Sequence, residues 1–302
     1  MASREELEWW NKYADVMAEQ WTLTPSMNAM IRAEYENDYA DYLFKPNGTF
    51  LEIGCGIGWI GQKFARRGMR VDGIDFSDEQ LNLARKQAAA EGLDDVAYFV
   101  RDLVNDSLQG RFEKYDSVLV NAVLHHLSAP EVESLMKRIA AVLAPNGRLF
   151  IYEPIALHGD RKVRGALVYP VDFVARGMLF TINRLGKALH LFKENFAEAM
   201  RSGYTGTSPD ERPIPLDGLR RSLVAQGLEI VEERPVHNYS LALAMSVIRL
   251  KPKLVSLLTP AVWAFYKIDG WLFRTVGLQN FGGKWVLCSI KVVRPAEAER
   301  RL

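Results

Sequence analysis

The sequence predicts an α/β protein whose parallel sheet is covered on both faces by helices. Three observations predict it. Short apolar runs alternate with helical patterns in units of roughly 25–30 residues between positions 48 and 154. The first run ends in FLEIGCGIGWIG, Phe50 to Gly61, which places four glycines in the eight positions from Gly54. The run YDSVLVNAV is apolar through its centre, as in a strand buried on both faces.

The elements follow in order. The first 45 residues read as helix, with Trp9, Trp10, Tyr13, Met17 and Trp21 at near-helical spacing. KPNGT breaks that pattern through Pro46 and Gly48. TFLEIG is a strand, IGQKFARRG a helix closed by Gly68, and MRVDGID the second strand. SDEQLNLARKQAAAEG is a helix capped by Ser77, favoured at its N-terminus by Asp78 and Glu79, and ended by Gly92. VAYFVRD and YDSVLVNAV are the third and fourth strands. APEVESLMKRIAAVLAPNG is a helix with Pro130 in its first turn, and RLFIYEP is the fifth strand. Residues 155–215 read as helical and irregular with no clear strand. DGLRRSLVAQGLEIVEERP restores helix then strand, and KWVLCSIKVVRP is the last strand. Residues 236–283 stand between those two strands as an apolar, basic insertion.

The composition is that of a globular chain, with 302 residues, 48% apolar and 25% charged. Cys55 and Cys288 are the only cysteines, and the five histidines lack zinc-site spacing, so no disulfide framework and no metal centre are expected. MASREELEWW lacks the basic-then-apolar order of a secretory signal, so the expected location is cytoplasmic. The net charge of +1 hides an asymmetry: residues 1–150 hold 16 Lys and Arg against 23 Asp and Glu, and residues 151–302 hold 22 against 14. Such asymmetry marks an anionic partner or surface, or is ordinary surface variation. No concentrated basic patch with a readable motif points to nucleic acid.

Glycines at a strand-to-helix turn permit positive φ and let the backbone approach a ligand, at which the next helix aims its free N–H groups. Which ligand the glycines leave open. Gly56, Gly58 and Gly61 fit G-x-G-x-x-G, the dinucleotide pattern, while Gly54, Gly56 and Gly58 fit G-x-G-x-G behind Glu52. Asp75 ends the next strand about 20 residues on, where an acid binds ribose hydroxyls in either case. An NAD-dependent oxidoreductase and an S-adenosylmethionine enzyme both remain.

LEIGCGIG, VDGIDFSDEQLNLAR, VRDL, YDSVLVNAVLHHL and LAPNGRLFIYEP resemble, in order and spacing, the successive motifs of the class I S-adenosylmethionine-dependent methyltransferases. The resemblance covers residues 48–154 and implies a doubly wound, mostly parallel seven-stranded sheet with the last strand antiparallel and helical lid insertions. It implies S-adenosylmethionine as cofactor, with S-adenosylhomocysteine as product. Glu52, Gly54, Cys55, Gly56 and Gly58 would form the loop under its methionine portion, with Glu52 suited to the ammonium. Asp75 would grip the ribose hydroxyls, Phe76 would pack on the adenine, Asp102 would accept from its amino group with Leu103 on the ring, and Asn121 would sit beside the methionine portion. Gly61 and Gly68 are read as helix-packing and helix-end residues, and Asp116 as an anchor of its strand.

A hydroxyl acceptor gains from a base near neutral pH, which suits histidine. His125 and His126 in LHHL and Glu153 after the fifth strand stand at the carboxyl edge of the sheet and are the candidate catalytic residues, each weighed against a structural role; His158 and His237 are weaker. The chain divides into an N-terminal helical lid (1–45), a cofactor-binding core (46–154), a helical acceptor lid (155–215), the rest of the core (216–235 and 284–295) and the insertion 236–283. The N-terminal aromatics are read as lid and edge packing together, packing the larger share. The insertion carries Arg249, Lys251, Lys253, Lys267 and Arg274, with Lys284 beside it, against the single acid Asp269. It has three readings: helices capping an apolar acceptor pocket, a homodimer interface, or a peripheral membrane contact. The expected function is methylation, foremost O-methylation, of a hydrophobic or bulky small molecule. A membrane- or partner-associated module that only binds the cofactor is the alternative in another class.

Overall fold

In a computed structural model of the chain, residues 4–21, 40–156, 168–204, 208–237, 239–276 and 285–296 are described. β1 (Thr49–Ile53) is buried along its whole length and pairs in parallel with β2 (Arg70–Asp75) on one side and β4 (Tyr115–Asn121) on the other. β3 (Val96–Val100) lies outside β2, and β5 (Leu143–Ala156) outside β4, both parallel. β8 (Trp285–Val293) runs antiparallel between β5 and β7 (Glu229–His237). The order is therefore β3-β2-β1-β4-β5-β8-β7. The expected doubly wound sheet with its antiparallel last strand is present. An eighth strand, the two-residue β6 (Ile214–Pro215), pairs with the end of β5 inside the stretch read as strandless.

Strand order reverses between β1 and β4, and the crevice at their carboxyl ends is where such sheets bind ligands. The opposite edge is fixed by two carboxylates, Asp72 fully buried and Asp116 half-buried. Asp72 accepts from the Tyr115 hydroxyl at 2.8 Å and from the backbone and Nε of Arg111, each at 2.6 Å. Asp116 accepts from the Thr49 amide at 2.9 Å and from Lys45, which makes it the strand anchor its position suggested.

Helices cover both faces: α1 (Arg4–Lys12), α2 (Ala14–Trp21), α3 (Trp59–Ala65), α4 (Asp78–Ala90) and α5 (Ala129–Val142). Ser77 caps α4, its hydroxyl accepting from the Gln80 amide at 3.3 Å and donating to Asn11 of α1 at 2.7 Å. The expected helix ends at Val142, and β5 takes up LAPNG at its start, with Asn146 at φ 58°. After β5 come α6 (Val168–Ala188), α7 (Glu194–Arg201) and α8 (Leu216–Ala225). The insertion is a helix pair, α9 (Tyr239–Val247) and α10 (Pro252–Val276). α9 packs against both α6 and α10, and α10 also packs on β7. Asp269, the insertion's single acid, is fully buried on α10; it accepts from the Ser240 amide at 2.9 Å and hydroxyl at 2.7 Å and so caps α9 from its neighbour. Among the described residues no helix is long and apolar enough to cross a membrane. His158, residues 22–39 of the N-terminal stretch, residues 157–167 and 205–207 of the acceptor lid, residues 277–283 of the insertion with Lys284, and the side chains of Met17, Trp21 and His237 lie outside what is described.

Gly61 lets α3 approach the sheet. A Cβ there would stand 2.8 Å from both Glu52 Oε2 and Val71 Cγ1. Gly61→Ala is therefore expected to cost about 1–3 kcal/mol through forced displacement of α3, read as a lower urea midpoint. An unchanged midpoint would show that the contact relaxes freely.

Candidate functional site

Three loops meet at the carboxyl edge. The glycine turn after β1 has Gly54 at φ 65° and Gly58 at φ 70°. A Cβ on Gly54 would lie 2.2 Å from Val123 Cγ2, and one on Gly58 2.2 Å from the Tyr98 hydroxyl, so both positions are closed to any side chain. Asp75 ends β2 and locks this turn, its Oδ2 accepting from the Gly56 amide at 2.8 Å and Oδ1 from the Ser77 amide at 2.9 Å. Burial raises its carboxyl above the ordinary value, against the lowering effect of these bonds. Asp102, after β3, accepts from the Val104 amide at 2.9 Å and from Asn105 at 2.7 Å.

The third loop follows β4. Glu153, fully buried on β5, accepts from the Val123 amide at 2.6 Å and the Leu124 amide at 2.8 Å, and its other oxygen lies 2.9 Å from His125 Nδ1. Facing a carboxylate, that nitrogen carries the proton. His126 does the same in the opposite direction. Its Nδ1 lies 3.0 Å from Glu6 Oε1 on α1 and 3.2 Å from the Ser208 hydroxyl. Glu6 is fully buried; it also accepts from Trp10 Nε1 at 2.6 Å and from the Asp210 amide at 2.9 Å. Burial pulls its carboxyl upward, but the bonds from His126, Ser208 and Asp210 outweigh that and hold it down at about 2.

These loops and α1 enclose a cavity of about 570 Å³. Of the residues singled out from sequence, Gly54, Gly56, Asp75, Phe76, Asp102, Leu103 and His126 line it. α1 adds Arg4, Glu6, Leu7 and Trp10, and Gln80, Val100, Arg101, Val123 and Leu127 complete most of the wall. Glu52, Cys55, Gly58, Asn121, His125 and Glu153 stand behind it. Glu52 turns under the glycine turn, where Oε2 accepts from the Gly61 amide at 2.8 Å. Cys55 packs in an apolar cluster with Leu81, Ala84 and Tyr98; burial, then the charges of Asp75 and Glu52, push its thiol well up. Asn121 Oδ1 is buried with no hydrogen-bond donor among the described residues. No three His, Cys, Asp or Glu side chains gather as metal ligands among those residues.

Residues 50–147 match the family described as methyltransferase domain. This domain belongs to the class I S-adenosylmethionine-dependent methyltransferases. The match decides between the two cofactors that the glycines alone left open. A ubiquinone biosynthesis O-methyltransferase from Actinobacillus pleuropneumoniae serotype 5b is 36% identical over 112 residues, 35% of this chain and 47% of that protein. The chain spans about half the length of the curated relatives it matches. Among solved structures, phosphoethanolamine N-methyltransferase 2 of Haemonchus contortus has TM-score 0.52 at 18% identity, covering 83% of this chain and 50% of that one. Geranyl diphosphate C-methyltransferase of Streptomyces coelicolor A3(2) has TM-score 0.51 at 14% identity, covering 88% and 76%. At such identities the likeness is one of fold.

The wall residues that the sequence does not single out are Arg4, Glu6 and Leu7 of α1 and those flanking the glycine and aspartate motifs. Nothing local marks Glu6, because its partners His126, Ser208 and Asp210 are distant in sequence. Trp9 and Tyr13 were read with Trp10 as one group, and the structure separates them. Trp10 lines the cavity, while Trp9 stacks on Tyr204 at 5.4 Å and Tyr13 meets the same ring edge-on at 4.9 Å.

Two outcomes follow from the groups behind the wall. Glu153→Ala orphans two buried amides and a histidine, so it is expected to cost about 3 kcal/mol or more in urea unfolding; a fully stable variant with normal cofactor affinity would disprove the clamp. Burial, with the Asp75 charge adding, pushes Glu52 from 4.5 up to about 8 against its Gly61 bond. The folded protein thus keeps this proton to higher pH than the unfolded chain. The stability it contributes is complete below pH 4.5 and drains away as pH rises toward 8. The melting-temperature difference between Glu52→Gln and the parent is therefore expected to move in the variant's favour from pH 5 to pH 8; a pH-independent difference contradicts it.

Proposed function

We propose that this protein transfers a methyl group from S-adenosylmethionine to a hydroxyl of a hydrophobic small molecule. The observation that carries this reading is His126 on the cavity wall with its Nδ1 tied to the ionised Glu6. A histidine so held has Nε2 as its acceptor nitrogen, the arrangement of a general base. The O-methyltransferase relatives point the same way.

The cavity fits the cofactor. Its volume is in the range of cofactor sites. Phe76 and Leu103 offer apolar surface for a base, and Asp75 and Asp102 offer carboxylates for ribose and amino groups. S-adenosylmethionine, when bound, supplies an activated sulfonium methyl. The chain's own work is to position the acceptor, exclude water and take one proton. His126 accepts the acceptor's hydroxyl proton at Nε2, and Glu6 stabilises the cation so formed. His125 and Glu153 hold the His126 loop on the sheet. α1 closes the cofactor side, and the helices of 155–215 and 236–283 form the acceptor lid, whose apolar character suits a hydrophobic acceptor.

Release of S-adenosylhomocysteine tests this reading, using phenols with and without an aliphatic tail, and phosphoethanolamine and small polar alcohols as counter-examples. Turnover of tailed phenols is expected. Turnover of amines alone overturns the oxygen assignment, and cofactor binding without release under any acceptor favours a binding module. His126→Asn is expected to lower kcat about 100-fold or more with S-adenosylhomocysteine affinity unchanged by calorimetry. That loss should shrink for phenols already ionised at neutral pH; equal losses across phenols would show that His126 takes no proton.

A further inference from the structure

The sequence placed any membrane contact in residues 236–283, and the structure points elsewhere. On α10 the large apolar side chains left exposed are Leu257 and Trp271, nearly four turns apart. On α6 the inward face, with Val168, Ala175 and Gly186 buried and Met178, Leu179 and Ile182 partly so, packs into the core. Its outward face is also apolar. Phe173 is 81% exposed, Phe180 62% and Tyr169 52%, with Val174 and Leu185 on the flank. At 100° per residue Tyr169, Phe173 and Phe180 fall within one narrow arc, and Arg176, Arg184 and Lys187, all exposed, fall in the same arc. Arg184 lies over the Phe180 ring at 5.6 Å. The helix's single acid, Asp172, is buried and bonded to Arg176 at 2.9 Å. Exposed aromatics of this size gain nothing in water, so the core does not account for this face.

We propose that the outward face of α6 docks the protein on an anionic lipid bilayer surface. Aromatic rings set among cations suit the boundary between headgroups and acyl chains, the rings entering and the cations meeting phosphate. From Tyr169 to Lys187 the face runs roughly 27 Å along the helix axis, so it lies flat. α6 does not cross the bilayer, since no described helix is long and apolar enough to do so. Charge decides against a second copy of the chain as occupant. Two α6 faces meeting about a two-fold axis would gather Arg176, Arg184 and Lys187 of both copies in one interface, with the helix's single acid buried and unable to offset them. The proposal does not need the acceptor, and its test reads no turnover.

Co-sedimentation of the full chain with phosphatidylglycerol-containing vesicles and with pure phosphatidylcholine vesicles tests it. Salt-sensitive partition onto the anionic vesicles is expected. Phe173→Ser with Phe180→Ser should lower that partition at least tenfold, and Arg184→Glu with Lys187→Glu about as much on anionic vesicles only. S-adenosylhomocysteine affinity, read by calorimetry, should be unchanged in both, which separates loss of docking from loss of fold. Leu257→Ser with Trp271→Ser should leave partition within twofold. No binding to either vesicle overturns the proposal. So does equal binding to both, loss of binding only in the Leu257 and Trp271 variant, or light scattering that shows a dimer which the Phe173 and Phe180 changes split.

Discussion

The Glu153 carboxylate is the interaction on which the site depends. It sits in the middle of the sheet with no solvent contact, yet it carries three bonds into the loop after β4. Two backbone amides and a histidine converge on it because the chain turns sharply there, with Ala122 at φ 55°. An unpaired carboxylate at such a depth would be costly, so the loop and the strand hold each other in place. The consequence reaches two ways from that point. Val123 is pressed against Gly54, which fixes the distance between the β4 loop and the glycine turn. His125 is used up inside, and His126, its ring 4.0 Å away, is left to face the cavity.

His126 then does for the lid what Glu153 does for the loop. Through Glu6 it joins α1 to the core, and Glu6 joins both to the segment at Ser208 and Asp210. The adjacent histidines thus bond to buried carboxylates on opposite sides, one in the sheet and one in the lid. Arg212 completes the seam by donating its amide to the His125 carbonyl at 2.8 Å. Trp10, bonded to the same Glu6, keeps its ring on the cavity wall and edge-on to His126 at 5.7 Å. Closure of the cavity by α1 and orientation of His126 are therefore one network.

Much of this was legible in the sequence because it is local. Strand–helix alternation follows hydrophobic period, and the glycine turn and Asp75 announce themselves by composition and register. Side-chain direction was the weaker part. Glu52 belongs to the same motif as Gly54, but a strand alternates its faces, so Glu52 shares the face of Phe50 and points at α3 rather than the cavity. Gly58 and Cys55 likewise serve packing against Tyr98 and Leu81. His125 and His126 could not be told apart, since the partner that assigns each lies on another element. Glu6 was invisible for the same reason. In the insertion, Asp269 read as a lone acid among cations is an internal helix cap.

The division between legible and illegible follows the division of labour in the protein. Backbone and short motifs within residues 50–147 build the cofactor half, and that is the stretch which matches the methyltransferase family. The helices outside that stretch, α1, α6, α7, α9 and α10, are held by single long-range bonds such as those of Glu6 and Asp269. A ligand common to many relatives can be recognised by a fixed turn, because its shape does not vary. An acceptor that differs from one relative to the next has to be recognised by what is added around that turn. The apolar and basic residues of α6 accordingly divide between two faces, an inner one packed into the core and an outer one that carries aromatic rings and cations. Under the proposed docking, an acceptor drawn from the bilayer would approach the protein beside the helix that meets the lipid.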